Sequence, residues 1–458
     1  VLRAQEALGE AEAELAALGE LPEYGAELRY RIARSYMEIR RFREARVLFL
    51  YLRGTLEAGQ AEEPLYLAFH CSTQLTPWDR AVELGLEYMA AYPAGRFYDA
   101  VSLAVGQIHA TQREWPQAAA VLKEALEVHP EHESIAECMF LIGYASFMEE
   151  SFAEAIRWLK DLNTRFPDHD RIDESTYWQG MALLFNRNYE EALRLFERYA
   201  EDFPKSPCLE DAAFRHAVCA YGLSLFADAE RHLAAFLERY PASALAAEAQ
   251  MMLADIAANS GALERAVAHY RQAIDSGGRD ANQDGKEDLN SELYNHCAFR
   301  AGEMLAELQR FDAVVEHFQA YIARHRAGSN LPLAVYWTAR GLWQQGLLRE
   351  AMTVLLDAVD RHGRDPAARG VDLLLEEWVS RSRSLPPAVV KEAWLQLGNR
   401  LRRAREEGCV PLQLRLQHLF LYSPALTEQN REQILGNLMR SEVIRSEEHT
   451  SELQSPNT

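Results

Sequence analysis

The chain lacks the residues that most chemistry needs. Six cysteines, at positions 71, 138, 208, 219, 297 and 409, occur without one Cys-x-x-Cys spacing, which excludes the common zinc and dithiol motifs. They fall inside apolar helical patterns and read as small buried residues, which argues against a disulfide framework and an oxidising compartment. No run of 18 apolar residues occurs, so no segment has the character of a membrane-spanning helix. Basic residues are scarce, 48 Lys and Arg against 69 Asp and Glu, for a net charge of -21. That balance excludes the basic footprint of nucleic-acid binding and disfavours adsorption to anionic lipid. Catalytic signatures are missing too, with no His-Glu-x-x-His and no Gly-x-Ser-x-Gly. Gly285-Lys286 is followed by Glu287, and no Gly stands five residues before Gly285, so this is not a phosphate loop. The sequence reads as that of a protein that is not an enzyme.

What the chain does have is a period. Aromatic-Pro or His-Pro pairs end at Pro93, Pro130, Pro167, Pro204 and Pro241, 37 residues apart. Ala81, Ala118, Ala155, Ala192, Ala229 and Ala266 keep the same step, and Ala45 lies 36 before the first of them. Beyond Ala266 the series continues at Ala313, 47 later, and at Ala351, 38 after that, for nine candidate units. Twelve residues before these alanines recur Gly106, Gly143, Gly180, Ala217, Ala254, Ala301 and Ala339. A small residue on each of two successive helices lets their backbones approach, so each unit is expected to be a helix hairpin. The turns Arg113-Glu114-Trp115, Glu150-Ser151-Phe152 and Arg187-Asn188-Tyr189 are polar with one aromatic each. In the second unit Phe69 takes the small position and Thr76-Pro77 the turn.

The small residue, the Ala twelve later, a Leu or Phe four beyond it (Leu122, Leu159, Phe196, Leu233) and the closing Pro resemble the tetratricopeptide repeat. The unit is three residues longer than the family's usual 34. Long units ending in Phe203-Pro204-Lys205-Ser206 or Tyr240-Pro241-Ala242-Ser243 resemble bacterial envelope members, the outer-membrane assembly lipoprotein and the Tol-Pal-associated periplasmic proteins. The resemblance spans Tyr24 to about His362. It implies an all-α solenoid, a right-handed superhelix of hairpins, acting as a non-catalytic scaffold for a protein or peptide partner, in the periplasm or at the outer membrane. The rival is a cytoplasmic regulatory or sensor module fused to an effector domain outside this sequence. Family positions that line the concave groove fall on Phe140, Tyr144, Phe147, Tyr177, Met181, Phe185, Phe214 and Tyr221, and aromatic anchors suit peptide and helix recognition. Against this stands the ordinary role of aromatics at helical spacing, inter-repeat core. The Lys and Asn pattern with which chaperone-tail receptors of the family clamp a carboxylate is absent from these helices.

Along the chain, residues 1–23 read as an amphipathic helix or partial repeat, 24–275 as repeats, 276–292 as an inserted acidic loop, 293–362 as further repeats and 363–444 as degenerate helices. Val1 is not an initiator Met, so a signal peptide or lipid-attachment Cys upstream stays open. The run RSEEHTSELQS at 445–455 matches the in-frame translation of a common sequencing-library adapter, and 445–458 are excluded from fold reasoning. The insertion carries a calcium-loop pattern. Asp280, Asn282 and Asp284 alternate, Gly285 offers the sharp turn, Lys286 its carbonyl and Asp288 the ninth position. Position twelve is Ser291, with the acid Glu292 one residue late. The competing reading is a solvated acidic turn.

Overall fold

The computed structural model describes residues 25–277, 292–325, 330–364, 370–382, 384–421 and 432. The expected N-terminal helix at 1–23, the loop positions 280–288 and the terminal run 445–458 lie outside them. The described residues are helical and form two compact units, Val1–Leu225 and Phe226–Thr458.

The first unit holds five successive hairpins and one further helix. They are α1 (Gly25–Glu38) with α2 (Phe42–Thr55), α3 (Ala58–Thr73) with α4 (Asp79–Ala91), and α5 (Tyr98–Thr111) with α6 (Trp115–Val128). Then come α7 (Ile135–Met148) with α8 (Phe152–Arg165), α9 (Ile172–Phe185) with α10 (Tyr189–Asp202), and α11 (Leu209–Gly222). The period has a direct cause in packing. In α5, α7 and α9 a glycine of the first helix receives the large residue four after the alanine of the second. A Cβ on Gly106 would stand 2.6 Å from Leu122, one on Gly143 2.6 Å from Leu159, and one on Gly180 2.5 Å from Phe196. The alanines between, Ala118, Ala155 and Ala192, are fully buried.

Apart from α3–α4, each hairpin turn of this unit reverses through one residue in the left-handed region. Arg113, Glu150 and Arg187 have φ of 61°, 57° and 62°, five residues ahead of the marker alanine. Between hairpins, the aromatic-Pro segment makes a second recurring turn. The N–H of the residue two after the proline donates to the carbonyl of the residue just before the proline, as in His132 to His129 (3.1 Å) and Ser206 to Phe203 (3.1 Å). The side chain there then accepts a backbone N–H two residues on: Ser134 N–H to His132 Nδ1 at 3.0 Å, Cys208 N–H to Ser206 Oγ at 3.2 Å. That bond satisfies a donor at the entry to the next helix, which explains the Pro-x-Ser or Pro-x-His pattern.

The second unit contains α12 (Phe226–Arg239), then α13 (Ala246–Asn259) with α14 (Leu263–Gly277), α15 (Glu292–Glu307) with α16 (Phe311–Arg324), and α17 (Leu331–Gln344) with α18 (Leu348–His362). It continues with α19 (Val371–Ser382) and the hairpin α20 (Pro387–Glu406) and α21 (Val410–Phe420). Here the sequence register needs a correction of one residue. In α15 and α16 the close pair is Gly302 with Phe318, where an added Cβ would stand 2.3 Å from the ring. The left-handed turn residue is Gln309, and five residues on stands Val314, not Ala313. Val314 is 1% exposed and Ala313 8%. With Val314 as marker the following step to Ala351 returns to 37, and the whole excess falls before it, a step of 48 from Ala266. Beyond α18 the core is rebuilt around Trp378, fully buried on α19 and edge-on to Trp394 of α20 at 4.8 Å.

Candidate partner-binding surface

Burial divides the eight groove candidates. Phe140, Tyr177, Met181 and Phe214 are 1%, 8%, 6% and 0% exposed, so they belong to the core. Their positions on the first helices face neighbouring hairpins. The Arg171 guanidinium, held by Glu137 (2.9 Å) and Glu174 (2.9 Å), covers the Phe140 ring at 3.7 Å. Tyr177 Oη donates to Asp211 Oδ2 at 2.6 Å. Burial first, then that carboxylate, holds the Tyr177 hydroxyl well above the ordinary tyrosine range, so it stays a donor.

The other four keep exposed surface. Tyr144, Phe147 and Tyr221 are half-buried, and Phe185 is 52% exposed. Three of them join into one patch through a residue that the repeat pattern does not flag. Trp178 of α9 lies 4.9 Å from Tyr144 and 5.0 Å from Phe147, both on α7. Phe147 meets Phe185 at 5.8 Å and Phe152 at 5.6 Å. Phe152 stacks on Phe185 at 5.5 Å, and Trp115 meets Tyr144 edge-on at 5.6 Å. The patch thus runs from the start of α6 across α7 and α8 to the end of α9. Trp178 has Leu141 and Arg215 as its repeat equivalents, 37 residues either side, so periodicity gives no sign of it. Its adjacency to Tyr177 was the available clue.

The histidines beside the acidic turns serve structure. His132 is buried, with Nδ1 taken by the Ser134 N–H and Nε2 donating to Ser102 Oγ at 3.1 Å. His129 Nδ1 donates to Asp99 Oδ1 at 2.6 Å, and the Glu133 N–H donates to Asp99 Oδ2 at 2.8 Å. Among the described residues no group of three or more His, Cys, Asp or Glu is placed to hold a metal ion. Of the calcium-loop candidates only Glu292 is described; it opens α15 and is exposed. The six cysteines are free thiols. Burial pushes Cys138, Cys219 and Cys297 up to about 12 and Cys71 to about 11, values that leave them unreactive at neutral pH. No helix among the described residues is long and apolar enough to cross a membrane.

These hairpins match known families in sequence. Residues 103–170 match the tetratricopeptide repeat family, and residues 142–275 match the YfiO outer membrane lipoprotein family. The hairpins within residues 103–170 are tetratricopeptide repeats. Repeats of this kind bind protein or peptide partners. No curated protein matches the chain. Among solved structures, a tetratricopeptide repeat protein from Parabacteroides merdae is 17% identical, over 61% of this chain and 99% of that one, at a TM-score of 0.39. The C-terminal part of a repeat protein from Cytophaga hutchinsonii is 14% identical, over 58% and 98%, at a TM-score of 0.41. YrrB, described as a repeat protein with an unusual peptide-binding site, is 18% identical, over 47% and 98%, at a TM-score of 0.36.

Proposed function

We propose that the protein is a non-catalytic scaffold that holds a protein or peptide segment against the aromatic patch of α7 and α9, as part of bacterial cell-envelope assembly. The observation that carries the binding reading is the continuity of Tyr144, Trp178, Phe147 and Phe185, which keep exposed area while their rings support one another. Rigid aromatic side chains give large contact area at low entropic cost, and an isolated exposed ring would not need such support. The envelope reading is supported by the outer membrane lipoprotein match, whose residues 142–275 take in Tyr144, Phe147, Trp178 and Phe185. The chain's net charge of -21 favours partners that are not themselves strongly acidic.

A peptide array of helical and extended segments from envelope proteins, probed with the parent chain and with the Tyr144→Ala, Phe185→Ala double variant, tests the surface. Peptides held by the parent and released at least about tenfold by the variant, with helical content unchanged, are the expected result. Peptides held equally by both would place binding on another face. Fractionation of cells carrying the complete gene tests the location, and recovery in the cytoplasm would retire the envelope reading.

A further inference from the structure

Two cavities of the second unit are one groove met in successive repeats. The first, of about 190 Å³, is lined by α14, α15 and α16, and the second, of about 270 Å³, by α16, α17 and α18. Their linings correspond position by position once the 48-residue step from α14 to α16 and the 37-residue steps beyond it are applied. Ile274 answers to Ile322, Ala298 to Val335 and Arg324 to Arg361. Each cavity exceeds by an order of magnitude the roughly 10–15 Å³ that one water needs. The preceding repeat shows what closes such a groove. There Gln250 of α13 takes the place of Ala298, and His269 of α14 that of His317. His269 Nδ1 donates to Gln250 Oε1 at 2.7 Å, so a pair of side chains spans the groove. His317 Nε2 donates instead to the carbonyl of Ala298 at 2.7 Å, and Val354 with Val335 can make no such bond in the second cavity.

Charge narrows the occupant. In α8 the last-turn arginine, Arg165, is held at 3.2 Å by Asp161, one turn earlier. Arg324 and Arg361 take that position in α16 and α18. One turn before Arg324 stands Ala320, which carries no charge. One turn before Arg361 stands Asp357, which Arg400 of α20 already engages. Arg271 brings a further guanidinium to the first cavity, set against the single carboxylate of Asp275. Among the described residues, Arg271, Arg324 and Arg361 form no ion pair. In a chain whose net charge is -21, unpaired arginines at both of two equivalent cavities favour carboxylates from outside, which a guanidinium binds through charge-assisted hydrogen bonds. Spacing narrows it further. Packed helix hairpins advance by about 10 Å per repeat, and three residues of extended chain cover about the same distance.

We propose that this face of the second unit binds an extended acidic segment of a partner protein. Apolar side chains three residues apart enter the two cavities, and the carboxylate beside each is held by Arg324 and by Arg361. The surface belongs to α14–α18 and does not depend on the binding role argued above for the α7–α9 patch.

Fluorescence anisotropy of labelled synthetic peptides on the full chain tests it. A peptide repeating Leu-Glu-Ser sets leucines and carboxylates three apart, and it is expected to bind the parent at least about tenfold more tightly than a Leu-Lys-Ser repeat. The Arg324→Gln, Arg361→Gln pair should weaken that binding at least about tenfold with helical content unchanged. Ala298→Gln, which copies Gln250, should weaken it while leaving the charge as it is. The exposed arginines can be changed without touching the core, so the test stands even where Ala298→Gln lowers stability. The Tyr144→Ala, Phe185→Ala variant should bind the peptide as the parent does. No binding of the Leu-Glu-Ser repeat by the parent would overturn the proposal, and so would equal binding by the parent and the arginine variant. Loss of binding in the Tyr144→Ala, Phe185→Ala variant would overturn it as well, since the α7–α9 patch would then be what holds the peptide.

Discussion

The second hairpin and the three that follow it solve the same packing problem with the parts exchanged. In α5–α6, α7–α8 and α9–α10 the glycine stands on the first helix and the large residue on the second, as in Gly143 with Leu159. In α3–α4 the large residue, Phe69, is on the first helix and Gly85 is on the second, with an added Cβ 2.9 Å from the Phe69 ring. Two helices can approach closely when one of them gives up a side chain at the crossing, and the geometry is indifferent to which one does. The conserved quantity along this chain is thus a pair volume, and a single-position pattern misses the second hairpin for that reason.

The strongest way to break this comparison is to overfill one crossing. Gly143→Phe places its Cβ 2.6 Å from Leu159 and is expected to cost about 3 kcal/mol, read as a lower denaturation midpoint. Gly143→Phe combined with Leu159→Gly copies the second hairpin and should recover more than half of that loss. A double variant as unstable as the sum of the singles would show that the exchange is not general.

A smaller effect separates the inter-hairpin turns. His132 and Ser206 occupy equivalent turn positions and accept equivalent N–H groups. Burial, opposed by Asp99, holds His132 below the ordinary histidine value. A group with a depressed folded value and an unfolded value of about 6.5 loses stability as pH falls through 6.5, and the loss stops below the folded value. Burial would raise Asp99, but the Glu133 N–H, His129 and His132 outweigh it and hold its carboxyl below the usual range. Its share is therefore lost only in stronger acid, below about pH 4. Between pH 7 and 5 the parent should lose stability faster than His132→Ser, by at most about 1.4 kcal/mol per pH unit. Equal slopes for the two chains would remove His132 as the cause.

The least effect is expected at the hairpin turns themselves. Gly261 has φ 77° with nothing near its Cβ position, whereas Glu150 adopts φ 57° with a side chain. Gly261→Ala should cost about 1 kcal/mol through backbone strain alone, and Glu150→Gly should be neutral or slightly stabilising. Denaturation midpoints shifting the other way would mean that turn side chains carry contacts of their own.

Most of the architecture was legible before any coordinates. The 37-residue step and the small residues twelve before each alanine announced hairpins, because close crossings demand small side chains at fixed spacing. The same logic failed by one residue at α15 and α16. There Ala301 and Ala313 also satisfy a small-residue pattern, and only the packing of Gly302 on Phe318 shows that Val314 occupies the crossing. The candidate surface was half legible. Tyr144, Phe147, Phe185 and Tyr221 retain exposure, while Phe140, Tyr177, Met181 and Phe214 do not, and Trp178 carries the patch without any repeat signal.

The sequence by itself determined the helices, their pairing and the turns between them, because those depend on contacts within one repeat: a glycine and its leucine, a turn residue, a proline and the hydroxyl or imidazole two places on. Which aromatics stay open was decided only by tertiary structure. Successive positions on a helix differ by about 100° around its axis, so the rotation between one hairpin and the next sends Tyr177 inward against Asp211 and turns its neighbour Trp178 toward Tyr144 and Phe147. That rotation is the joint result of all the side chains packed between the hairpins, and no single position in the sequence carries it.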